Sequence, residues 1–244
     1  MAMFRSGNPA LTDATFRSLP RVADGAMTIQ GTVNKTGFGL LVVVAGAAIT
    51  WNTGGAGLMI LGAIGGLVVG LVTAFKKTWA PFTTLPYAFL EGLFLGGISR
   101  QYAARYEGIV PLAVGLTLWT LAALLAAYTS RLIRVSDNFR LGVVAATGGI
   151  ALFYLVTMVL GFFGIRIPYI HEAGPIGILF SLVVVGIASM NLVLDFDFIE
   201  RGSAAGAPKF MEWYGAFGLL VTLIWLYLEM LRLLSKIMGK GGRR

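Results

Sequence analysis

Seven long apolar stretches, five of them without a single charged residue, leave this chain one medium in which to bury itself: the interior of a lipid bilayer. They cover residues 37–51, 57–75, 82–99, 109–128, 141–163, 175–194 and 214 to about 234. About 20 apolar residues in a helix, at ~1.5 Å rise each, cross the hydrocarbon layer. With 57% of its 244 residues hydrophobic and 12% charged, the chain lacks the polar surface that a water-soluble globule of this size needs. Unpaired backbone groups are too costly in lipid for anything but helices or closed barrels, and these runs are too long for barrel strands. The expected fold is therefore an all-α integral membrane protein of seven transmembrane helices. Residues 1–33 read as a polar tail, 34–237 as the seven-helix domain and 238–244 as a basic tail, which leaves no room for a second domain.

The 19 Lys and Arg against 11 Asp and Glu suggest nucleic acid only until their positions are noted. They lie between the apolar runs and at the ends, where they act as topology signals and headgroup contacts, so no nucleic acid partner is expected. With the N-terminus inside, the inner segments carry eleven and the outer loops three, which predicts a cytoplasmic N-terminus. The C-terminal Arg232, Lys236, Lys240, Arg243 and Arg244 then fall on the disfavoured side. Cysteine is absent and His171 is the only histidine, so thiol catalysis and multi-histidine metal sites are excluded. His171-Glu172 lacks the second histidine of a zincin helix, and neither a phosphate loop nor a nucleophile elbow is present; no enzyme and no cofactor is expected. The small-residue spacing Gly62, Gly66, Gly70 reads as close helix packing. No internal repeat supports an inverted-repeat transporter.

A carboxylate at mid-bilayer costs about 2.5–3.5 kcal/mol, so acids inside apolar runs are functional candidates. Glu91 lies in the third run, Asp195 and Asp197 close the sixth, and Glu229 lies in the seventh. Two such carboxyls brought together share a proton, bind a cation when ionised and release it when protonated. Asn191 and Asp195, four apart, share a helix face, whereas Asp197 points roughly 200° away from Asp195. The competing structural readings are a hydrated helix end for Asp195 and Asp197, neutralisation of Glu229 by Arg232 three residues on, and a packing role for Glu91.

Phe196-Asp197 at the end of the sixth run, with Leu226-Tyr227-Leu228-Glu229 in the seventh, resembles the Bax inhibitor-1 (transmembrane Bax inhibitor motif) family. The stretches FRSGNPAL and RLGVVAATGGIALFYLV resemble its bacterial branch. The resemblance implies a last helix enclosed by the other six, and a calcium leak gated by pH through Asp197 and Glu229, with calcium as the permeant or bound ion. No arginine in the second run is available as a counter-ion. Asp197 stands near the inner end of its run and Glu229 roughly fifteen residues into the next, about 22 Å of helix, so Glu212 is an alternative neighbour of Asp197. The leading expectation is a pH-sensitive calcium leak channel in a bacterial inner membrane. The alternatives are a non-conducting regulator of a membrane protease or stress pathway, acting through the N-terminal tail, and a proton-coupled transporter using Glu91.

Overall fold

A computed structural model describes residues 25–164 and 174–241. They form helices α1 (Ile29–Thr53), α2 (Ala56–Phe75), α3 (Ala80–Ala103), α4 (Ile109–Thr129), α5 (Asp137–Phe162), α6 (Pro175–Ala204) and α7 (Met211–Gly241), with a 3-10 turn at Lys77–Trp79. Six are long and apolar enough to cross a membrane; α3, which carries Pro86, Glu91 and Arg100, is the exception. Its weaker hydropathy suits its place, because α3 packs along α1, α2 and α7 rather than against lipid alone.

Local chemistry sets the ends. Thr28 caps α1 by accepting from the Gly31 amide at 3.0 Å, so this helix starts eight residues before its apolar run and takes in part of the 1–33 tail. Ser136 caps α5 through the Phe139 amide at 3.2 Å. Gly54, at φ 65°, closes α1 in the left-handed conformation and lets the chain reverse into α2. Helix α6 continues past the apolar run to Ala204, which carries Asp195 and Asp197 well inside a helix.

Neighbouring contacts establish alternating directions. Helix α1 runs parallel to α3, with Gly46 against the Phe89 carbonyl and Gly92 against Val43. Helix α2 runs antiparallel to α3, with Gly62 opposite Leu90 and Phe94, Gly66 opposite Glu91 and Gly70 opposite Tyr87. A Cβ at Gly46 or Gly62 would lie 2.5 Å from a carbonyl oxygen of α3, so the glycine stripe of α2 serves close packing. Helix α6 runs antiparallel to α7: Asp195 bonds Thr222, and Ser181 bonds Lys236. Seven alternating passes place the start of α1 and the end of α7 on opposite faces. We call the face where α1 begins the N-side.

The last helix is the core. In its apolar window 72% is buried, against 11–44% in the other candidate spans. Packing of α1, α3, α4 and α6 around it buries Tyr214, Phe217, Leu220, Leu226 and Leu231. The remaining helices turn residues such as Leu41, Ile64, Trp119, Leu152 and Leu179 outward, as lipid-facing surfaces do. Helix α5 is the least embedded, with only 11% of its window buried, and an added Cβ at Gly142, Gly148, Gly149 or Gly161 would meet nothing within 4 Å.

Candidate functional site

The register of α6 on α7 decides which acids meet. Thr222 of α7 donates to Asp195 Oδ2 at 2.6 Å, both residues being buried. From that level Glu229 lies seven residues along α7 in one direction, while Asp197 lies two residues along α6 in the other. The two are thus separated by roughly 13 Å along the bundle axis. Asp197 and Glu229, expected to form a proton-sharing pair and to hold one calcium ion between them, belong to different bonding sets. The physical reason is the antiparallel hairpin: one helix descends while its neighbour climbs. Among the described residues no cluster of three or more His, Asp or Glu side chains suits a metal ion.

Asp197 faces α5. Its Oδ2 accepts from Arg140 Nη2 at 2.9 Å and pairs with Arg201 Nη2 at 2.7 Å, while Arg201 Nε also donates to the Asp197 carbonyl at 3.3 Å. The two aspartates, 200° apart on one helix, therefore address different neighbours: Asp195 the central helix, Asp197 the outer α5. The counter-ion missing from the second run comes from α5 and α6. Arg140, counted in the sequence as a loop charge, sits in the first turn of α5 and is only 5% exposed.

Glu229, 1% exposed, accepts from Tyr154 of α5 at 3.1 and 3.3 Å, from Trp225 Nε1 at 3.3 Å and from Arg232 Nη1 at 2.8 and 3.0 Å. Arg232 also donates to the Tyr154 hydroxyl and lies over its ring. Neutralisation by Arg232, read from the i, i+3 spacing, is what the structure contains. Lys236, one turn further, is buried and donates to Ser181 Oγ at 2.7 Å and to the Gly177 carbonyl at 3.0 Å. Two of the five C-terminal cations that violate the charge bias are thus internal bonding groups rather than topology signals.

Asn191 donates to Thr147 Oγ1 of α5 at 2.8 Å and to the Ile187 carbonyl at 2.9 Å. Three polar groups of α5, Arg140, Thr147 and Tyr154, are each seven residues apart and lie on one face. They meet Asp197, Asn191 and Glu229 in turn. This outer helix, shallowly packed elsewhere, hangs on three polar contacts, two of them to carboxylates.

Glu212 is not the neighbour of Asp197. Fully buried at the first turn of α7, it accepts from the Thr28 amide at 2.9 Å and hydroxyl at 2.8 Å. It also pairs with Lys35 at 2.5 Å and Lys209 at 2.8 Å. This clasp joins the entry to α1 to the start of α7, and the Met27 amide N–H donates a further hydrogen bond to the Ala207 carbonyl at 2.6 Å.

Glu91 stands at the middle of α3 against Gly66 of α2, where an added Cβ would come within 2.7 Å of its Oε1. Among the described residues it makes no ion pair. Glu91→Gln keeps the shape and removes only the titratable group, so its melting temperature in detergent is expected within about 4 °C of wild type. A larger fall would reveal a bonding role. His171 and Glu172 lie outside the described residues.

Composition and apolar runs do not mark Arg140, Thr147, Tyr154, Thr222 and Lys35 as bonding partners. The signal for the first three was present: polar residues recurring every seventh position along an apolar run. A family model described as Bax inhibitor 1 like matches residues 8–239. Comparison with curated proteins finds no match.

Proposed function

The chain belongs to the Bax inhibitor 1 like family, and from that membership together with its carboxylate latches we propose that this multi-pass membrane protein is a pH-sensitive calcium leak channel. We place it in a bacterial inner membrane with its N-terminus in the cytoplasm. The observation that carries the reading is the suspension of α5 on Asp197, Asn191 and Glu229. Ionised, Asp197 holds Arg140 and Glu229 holds Arg232 and Tyr154, so α5 stays closed on the polar seam formed by Asp195, Thr222 and Glu229. Protonation cancels the charge that retains Arg140 and weakens the hydrogen bond from Tyr154, the two groups that α5 offers to carboxylates. Helix α5 then swings away, the seam hydrates, and a divalent cation passes along it. Asp197 and Glu229 act as two separate latches on one moving helix rather than as a shared-proton pair.

The test is calcium efflux from liposomes reconstituted with the protein, measured across pH. Efflux should rise as pH falls; identical, pH-insensitive flux from liposomes with and without protein would end the reading. A second reading, a non-conducting regulator acting through the N-terminal tail, is favoured by the Thr28, Lys35 and Glu212 clasp, which would pass movement of the tail root to α7. Deleting residues 1–24 separates the two: a channel keeps its flux, whereas a tail-dependent regulator loses its phenotype while conducting nothing.

A further inference from the structure

On the N-side, a cleft of about 840 Å³ opens between α1 and α4, with α6 and α7 as its floor. Helices α1 and α4 share no extensive interface, so the cleft reaches the lipid-facing surface. Val33, Leu40, Leu121 and Leu125 make its walls apolar, and Arg131 and Arg134 from the α4–α5 turn stand at its rim. The size and the mostly apolar lining with a few polar groups are those of a binding site.

The charges at the rim are unevenly committed. Asp197 is held by Arg140 and Arg201, and Glu200 accepts from the Tyr128 hydroxyl. Arg131 and Arg134 are both exposed, and among the described residues neither makes an ion pair. Arg131 and Arg134 are thus two guanidinium groups at the rim without a carboxylate partner among the described residues, and guanidinium is the side-chain group that matches phosphate geometry best.

Arg131 carries a second, independent mark. It occupies φ 59°, the left-handed region, and is the one non-glycine residue to do so among the described residues. Its amide bonds the Tyr128 carbonyl at 3.0 Å, and the Leu132 amide bonds the Ala127 carbonyl at 3.0 Å. This is the double bond pattern of a Schellman helix end, whose pivot position is usually glycine. An arginine there is held against its backbone preference. Leu132 beside it is 81% exposed, as suits a turn at the lipid headgroup boundary.

We propose that this cleft binds an anionic phospholipid of the N-side leaflet, its phosphate on Arg131 and Arg134 and one acyl chain along Val33, Leu40 and Leu125. The site does not depend on conduction. Lipid is the occupant because the apolar walls continue directly from the phosphate position into the membrane-spanning part of the bundle, which a soluble phosphate would leave empty.

Native mass spectrometry of the detergent-solubilised full chain, with added phosphatidylglycerol or phosphatidylcholine of identical acyl chains, tests this. Phosphatidylglycerol should be retained in preference. Its retention should fall about tenfold in Arg131→Asn with Arg134→Gln, the asparagine being chosen because it tolerates the left-handed conformation. Leu125→Trp, which fills the cleft and leaves both arginines in place, should lower retention to a similar degree. Equal retention of the two lipids, or phosphatidylglycerol binding unchanged in both variants, would overturn the proposal. Displacement of phosphatidylglycerol by millimolar glycerol phosphate would do the same, since it would assign the arginines to a free phosphate.

Discussion

Asp197→Asn is expected to raise calcium efflux at neutral pH by about tenfold, the population change that corresponds to ~1.4 kcal/mol, and to flatten the response to acid. The neutral amide keeps the shape of the side chain and removes the charge that holds Arg140 at 2.9 Å and Arg201 at 2.7 Å. Arg201 is partly exposed and recovers its hydration. Arg140, nearly fully buried, cannot do so in place and keeps the exposed Asp137 at 3.7 Å as a more distant counter-charge, so the cost stays below the ~3–5 kcal/mol of a buried charge stranded outright. The protein escapes that cost by moving the first turn of α5, with Arg140, toward water. The variant therefore mimics the acid form of Asp197 at every pH, and what pH dependence remains comes from Glu229. Adding Glu229→Gln should remove that remainder. The chain contains no cysteine, so paired labels on exposed positions of α5 and α6, such as Ala145 and Val183, can follow the helix directly. A distance distribution in Asp197→Asn identical to wild type at neutral pH, together with unchanged efflux, would show that α5 is not the moving element.

How much of this stands in the linear sequence follows from the range of each interaction. Helices α1 to α7 are legible because apolar length is a local property, and even α3, weakened by Pro86 and Glu91, sits where its run predicts. The opposed faces of Asp195 and Asp197 are legible for the same reason, since helical periodicity is local, and so is the pairing of Glu229 with Arg232. Partners across helices are not. Thr28 and Glu212 are 184 residues apart, and only the closure of the bundle reveals that one caps α1 while bonding α7. Register misleads where it must be assumed: Asp197 and Glu229 look like partners until the hairpin direction sets Glu229 about two turns to one side of the Asp195–Thr222 level and Asp197 about half a turn to the other. Arg140 shows a third kind of loss. A cation just before an apolar run reads as a topology signal, and nothing local distinguishes it from one that turns inward. The recurrence of Arg140, Thr147 and Tyr154 at every seventh position does distinguish it, once α5 is known to present a single face to α6 and α7.

The largest stability effect falls at Arg232. Arg232→Ala is expected to destabilise the protein in detergent by about 3 kcal/mol, because it strands Glu229, 1% exposed, with only neutral donors from Tyr154 and Trp225. At roughly 2–4 °C per kcal/mol for a chain of this size, the melting temperature should fall by about 6–12 °C. Removing both charges is a different experiment. Glu229→Leu with Arg232→Leu puts apolar side chains of comparable bulk in the centre of the bundle and costs far less than the single change, since no buried charge is left unpaired. The Tyr154 hydroxyl then loses both partners, so recovery should be incomplete by about 1 kcal/mol. Strictly additive losses in the double variant would mean that Glu229 and Arg232 act independently despite their 2.8 Å contact. In that case the far-side latch on α5 would be the tyrosine alone.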